Sequence, residues 1–167
     1  MKLYGNLIGG TIRSNFKKLP EFTYTGVYET IMEDGGWKIK FKTSGTFKIT
    51  KPTNTIQIDA FLVGGGGGGG AYSNGSGGGG GGGFITQSVI TLNSGINYTI
   101  NIGNGGNGGT ASDYDNVAPS GGTTTAFGLQ ALGGGGGHST MGRDDELIMA
   151  VGAVWEVIMA VLAVLQI

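Results

Sequence analysis

Two runs of seven consecutive glycines, Gly64–Gly70 and Gly77–Gly83, constrain this chain more than any other feature. A third run of five follows at Gly133–Gly137. Glycine buries no side chain and loses more backbone freedom on ordering than any other residue. Such runs are either flexible linkers or segments whose ordering is offset by contacts between backbones. The ordered alternative is polyglycine II, an extended helix of three residues per turn whose bare backbone lets neighbours approach and hydrogen-bond. The flanking residues favour order. Ile56–Val63 alternates apolar and polar residues and runs directly into the first tract, and the second tract runs directly into another β-type segment, Phe84–Leu92. A linker needs no strands abutting both its ends. The order predicts polyglycine helices inserted between strands of one sheet system, each about 22 Å long at roughly 3.1 Å per residue.

Composition narrows the function classes. Glycine is 38 of 167 residues, more than three times its usual share of about 7%, yet no collagen-like triplet with proline is present. Nine of the ten basic residues lie at or before Lys51, and between Pro52 and Thr140 the only charges are Asp59, Asp113 and Asp115. That body has no basic groove for nucleic acid. Lys38, Lys40 and Lys42 alternate with Trp37, Ile39 and Phe41, which marks a solvated sheet face. There is no cysteine, hence no disulfide framework.

The segment before Pro20 reads as a leader or joining piece (1–20), followed by a β domain over 21–137 and a tail over 138–167. In the β domain, Phe22–Thr25, Val27–Met32 and Trp37–Lys42 have strand character, with Glu33-Asp34-Gly35-Gly36 as a hairpin turn. Thr46–Thr50 is a further strand. Asn93-Ser94-Gly95 is a turn, and Tyr98, Ile100 and Ile102 share one face of the next strand. Gly103–Gly109 reads as a polar loop, and Thr123–Phe127 as a short strand. The fold class is mainly β: an antiparallel sheet or sandwich carrying polyglycine II segments.

The order strand, Gly64–Gly70, polar insert, Gly77–Gly83, strand, Gly/Asn loop, strand, Gly133–Gly137 resembles the glycine-rich domain of phage and prophage tail-fibre adhesins, over roughly Glu21–Gly137. The resemblance implies stacked polyglycine helices and receptor contacts from the loops between them: Ala71–Ser76, Gly103–Ser120 and whatever follows Gly137. The candidate contact residues are Tyr72, Asn74, Asn104, Asn107, Tyr114 and Asn116. It further implies a bacterial cell-surface receptor, protein or glycan, a tail-fibre protein as a second partner, and a location on the virion or the bacterial surface. The alternative is a structural glycine-rich surface or membrane-anchored protein without a specific ligand.

No catalytic constellation emerges, and neither cofactor nor metal is expected. The first tract matches G-x-G-x-x-G behind a strand, but no helix opens on it as a dinucleotide site requires. No lysine beyond Lys51 could complete a phosphate loop, and His138 stands alone. Asp113-x-Asp115-Asn116 lacks the glycine and closing glutamate of a calcium loop.

The tail is anomalous. Leu147–Ile167 is apolar apart from Glu156 and Gln166, long enough to cross a bilayer as a helix or to form a buried helix. A third reading rests on Ala or Glu at 150, 153, 156, 160 and 163, each followed by Val. Codons for these residues begin with G, and a shifted frame would turn many of them into glycine codons. On that reading the tail is an out-of-frame continuation of the glycine repeat, and the gene sequence decides it.

Overall fold

The computed structural model describes residues 18–33, 36–70, 83, 85–109, 117–137 and 159–163. Among the described residues, the alternating pattern of the sequence folds into ten strands in two five-stranded sheets, with every pairing antiparallel. One sheet has the order β1 (Glu21–Tyr24), β4 (Gly45–Lys51), β7 (Tyr98–Asn101), β8 (Thr124–Ala126), β9 (Leu129–Ala131). The other runs β2 (Tyr28–Glu33), β3 (Gly36–Phe41), β10 (Met159–Ala163), β5 (Ile56–Val63), β6 (Ile85–Leu92). The hairpin expected at Glu33–Gly36 is present, with those two residues paired at its mouth.

The inner faces make one core. Trp37, Ile39 and Phe41 of β3 and Ile58, Ala60 and Leu62 of β5 meet Phe47 and Ile49 of β4, Ile100 of β7, Ala126 of β8 and Ala131 of β9. The two-residue period puts these residues on one face while the lysines of β3 take the other. Edge-to-face and tilted ring contacts run from Tyr28 through Phe22, Phe47 and Phe127 to Tyr98. Tyr24 donates its hydroxyl to the Thr43 carbonyl, and burial pushes this phenol up to about 12, so the donor keeps its proton across the neutral range.

The tail departs from expectation. Met159–Ala163 is strand, not helix, inserted antiparallel between β3 and β5, with Val161 in register with Ile39 and Ala60. A helix satisfies only its own backbone, whereas an extended segment in this slot pairs with two open strand edges at once. Among the described residues no helix is long and apolar enough to cross a membrane. The remainder of 138–167 lies outside the described residues.

The first and third glycine tracts are ordered as polyglycine helices, while residues 77–82 of the second lie outside the described residues. Gly65 and Gly68 donate to the carbonyls of Gly122 and Pro119 at 2.9 Å, Gly106 and Gly109 donate to Gly66 and Gly69 at 2.8 Å, and Gly134 and Gly137 donate to Gly65 and Gly68 at 2.8 and 2.7 Å. Every pair steps by three residues, the repeat of polyglycine II; a β-strand bonds each neighbour through every second residue. Among the described residues, the segments 64–70, 103–109, 117–122 and 133–137 thus form four helices of one lattice. The 103–109 and 133–137 helices run parallel to 64–70, while 117–122 runs antiparallel to it.

The segment 103–109, expected to be a loop, is therefore part of the scaffold. Its composition hides this, because asparagine at every third position looks like loop chemistry. The lattice specifies glycine by edge. A Cβ at Gly65 or Gly68 would collide with the carbonyl of Asn104 or Asn107, and one at Gly103 or Gly106 with that of Gly122 or Pro119. At Gly105 and Gly108 it would meet only ordinary contacts, at 3.6 and 3.9 Å.

An alanine scan of 103–109 should show the same three-residue period. Gly106→Ala should lose about 3 kcal/mol or more, in the range of strained or overpacked interiors, while Gly105→Ala should stay within about 0.5 kcal/mol of the parent. Thermal or denaturant unfolding reads both. Equal losses at the two positions would contradict the lattice.

Candidate functional site

All four lattice helices are attached to the same end of the sandwich. β5 ends at Val63 and enters 64–70, β7 leads through Ile102 into 103–109, 117–122 leads into β8, and β9 leads into 133–137. The registers place these ends together: Val63 pairs with Ile85, Asn101 with Thr125, and Thr124 with Ala131. Thr124 joins sandwich to lattice. Its fully buried hydroxyl donates to the Val63 carbonyl at 2.6 Å and accepts the Gly103 amide at 3.0 Å. One side chain thus fixes where two polyglycine helices start, one from each sheet.

The far end of the lattice gathers the chain's inserts. The bonds Gly109 to Gly69, Gly137 to Gly68 and Ala118 to Gly137 bring together the last described residues before 71–82, before 110–116 and before 138–158, and the first ones after 116. Three inserts that are far apart in sequence therefore depart from, or return to, one small platform. Val117, at its rim, is 55% exposed. By contrast the body starts at the opposite end, where Lys18, Leu19, Pro20 and Glu21 lie beside Lys51 and Pro52 around a shallow cavity of about 360 Å³.

Of the six residues singled out in the sequence, the structure describes two. Asn104 and Asn107 are exposed, three residues apart on the 103–109 helix, so they occupy the same outward edge one turn apart. Their backbones belong to the scaffold: the Asn104 carbonyl accepts the Gly122 amide at 2.7 Å. Tyr72, Asn74, Tyr114 and Asn116 lie outside the described residues.

The edge continues along the chain into residues the sequence reading did not single out. Thr99 and Asn101 project from the outer face of β7, and with Thr125 and Gln130 they line a shallow groove of about 330 Å³. The Asn101 amide donates to the Thr125 hydroxyl at 3.2 Å. Alternation supplied the signal, since Tyr98, Ile100 and Ile102 on one face leave Thr99 and Asn101 on the other. The hairpin that closes the groove turns through Phe127 and Gly128, both at positive φ (54° and 80°). A bulky residue is costly there, and the ring contacts of Phe127 with Phe47 and Tyr98 offset that cost.

The groove and the lattice edge carry hydroxyls and amides and no charged side chain. Ion pairs are found on the sandwich body, among them Lys42 with Glu29 and Lys51 with Glu21, each at 3.0 Å. The Lys42 hydrogen bond and charge hold the exposed Glu29 carboxyl below its usual range. Among the described residues no three of His, Cys, Asp or Glu come together as a metal site would require.

Residues 42–154 match the glycine-rich domain family. The match spans more than half of the chain, and the chain belongs to this family. No curated protein matches it significantly, and no solved structure does.

Thr124→Val keeps the shape of this side chain and removes its hydroxyl, leaving the Val63 carbonyl and the Gly103 amide without their partner. The expected loss is about 2–4 kcal/mol, because each buried group left unpaired costs about 1–3 kcal/mol. Denaturant unfolding measures it, and a loss below about 0.5 kcal/mol would remove Thr124 from the junction.

Proposed function

We propose that this chain is a non-catalytic binding module that recognises a receptor on the bacterial surface, in the manner of a phage or prophage tail-tip adhesin. The observation that carries the reading is the convergence of three inserts on the far end of the polyglycine lattice. A lattice of bare backbones in mutual contact has few soft degrees of freedom, and inserts mounted on it lose less entropy when they bind. Recognition loops on a rigid scaffold are a recurring solution.

Polarity and orientation support the same reading. The exposed edge formed by Thr99, Asn101, Asn104 and Asn107 offers neutral donors and acceptors, suited to a glycan or a polar protein surface. The body begins at the end opposite the platform, so a segment preceding Lys18 would attach on the far side from the inserts, as a tip mounted on a tail-fibre protein requires. Tyr72, Asn74, Tyr114 and Asn116 belong to the inserts, and Asn104 and Asn107 to the edge beside them.

Fluorescently labelled chain titrated onto a panel of intact bacteria tests the proposal. Saturable binding to a subset of strains is expected. Replacing 71–76 and 110–116 with Gly/Ser sequences of equal length should abolish it, and Asn104→Ala with Asn107→Ala should weaken it about tenfold or more without changing the melting temperature. Binding that survives the insert replacements, or no binding to any strain, would leave a purely structural glycine-rich protein as the better reading.

A further inference from the structure

Among the described residues, four strands end the two sheets: β1 and β9 in one, β2 and β6 in the other. An edge strand presents a row of unpaired backbone groups, and proteins blunt such edges with short strands, charges, prolines or bulges. Three of the four are blunted. β1 has four residues and a register shift after Glu21, which is ion-paired to Lys51. β9 has three residues. β2 carries Glu29, paired with Lys42.

β6 has none of these devices. It is eight residues long, and its sequence Ile-Thr-Gln-Ser-Val-Ile-Thr-Leu contains no charge, proline or glycine. All eight residues pair with β5 in one unbroken register, so no bulge twists the edge away. The strand is held from beneath: Leu92 is buried, and the Thr86 hydroxyl donates to the Gln130 carbonyl at 2.7 Å. On its outer face Ile85 and Val89 are 62% and 59% exposed, with Gln87 between them.

We infer that β6 is an association edge that pairs antiparallel with β6 of a second copy of this chain, independently of what the chain binds. The strand is complementary to itself. A two-fold register that keeps outer face with outer face and sets Ile85 opposite Val89 of the second copy also sets Gln87 opposite Gln87. Each exposed apolar side chain then meets an apolar one, amide meets amide, and no like charges face each other. Pairs of this kind are the unit of sheet stabilisation, and the two five-stranded sheets become one of ten strands. The strand itself carries no charged side chain for a charged peptide to pair with.

Sedimentation of the full chain across a range of concentrations tests this directly. The parent is expected to dimerise reversibly. Val89→Lys alone and Ile85→Glu alone should each raise the dissociation constant at least tenfold, with unchanged far-UV circular dichroism. Mixing Ile85→Glu chains with Val89→Lys chains should restore the dimer, because the proposed register brings those two positions together. Should either variant fail to fold, amide exchange in β6 of the parent decides the matter, with protection expected to rise with protein concentration. A parent that remains monomeric at millimolar concentration, or a dimer indifferent to both substitutions, would overturn the inference.

Discussion

The architecture depends on backbones lying closer together than side chains permit. In the lattice the place a Cβ would take is held by a neighbour's carbonyl oxygen along one edge after another. The glycine hydrogens at those edges point at carbonyls, a weak but systematic attraction, and the amides reach 2.7–2.9 Å bonds to adjacent helices. Each bond contributes only about 1 kcal/mol net, whereas ordering each residue costs about 1–2 kcal/mol. A lattice of this kind therefore relies on anchorage. The sandwich supplies it by fixing the ends of the helices through β5, β7, β8 and β9, with Thr124 tying the two sheets together at the junction.

This division of labour connects the two halves of the molecule to function. The hydrophobic core stabilises the sandwich. The lattice adds little apolar burial beyond Ala118 but extends a stiff, uncharged platform away from it. The chain there is fixed by backbone geometry rather than by side-chain packing. The same logic explains why Asn104 and Asn107 are tolerated inside a glycine repeat: they sit on the edge that faces solvent, while Gly103 and Gly106 face a neighbouring helix.

Much of this was legible in the sequence. Alternation of Trp37, Ile39 and Phe41 with lysines, and of Ile58, Ala60 and Leu62 with polar residues, located strands and core faces. Strands abutting the first tract pointed to ordered polyglycine. Other features depend on contacts between distant segments. The repeat Gly-Asn-Gly in 103–109 matches a polar loop in composition, and only its three-residue period indicates a lattice helix. Met159–Ala163 suits a helix or a strand equally by pattern, and the gap between β3 and β5 decides it. The convergence of 70, 109, 117 and 137 on one platform follows from hydrogen bonds across the lattice, which no local pattern encodes. Tyr72, Asn74, Tyr114 and Asn116 remain sequence-based candidates.

Native-state amide hydrogen exchange of the glycines tests the central claim most directly. The amides of Gly65, Gly68, Gly106, Gly121 and Gly134, each donating within the lattice, should exchange orders of magnitude more slowly than unstructured glycines. They should open together, as one cooperative unit. Exchange of these amides at random-coil rates, with the strands still protected, would show the tracts to be linkers and would contradict the lattice on which this account rests.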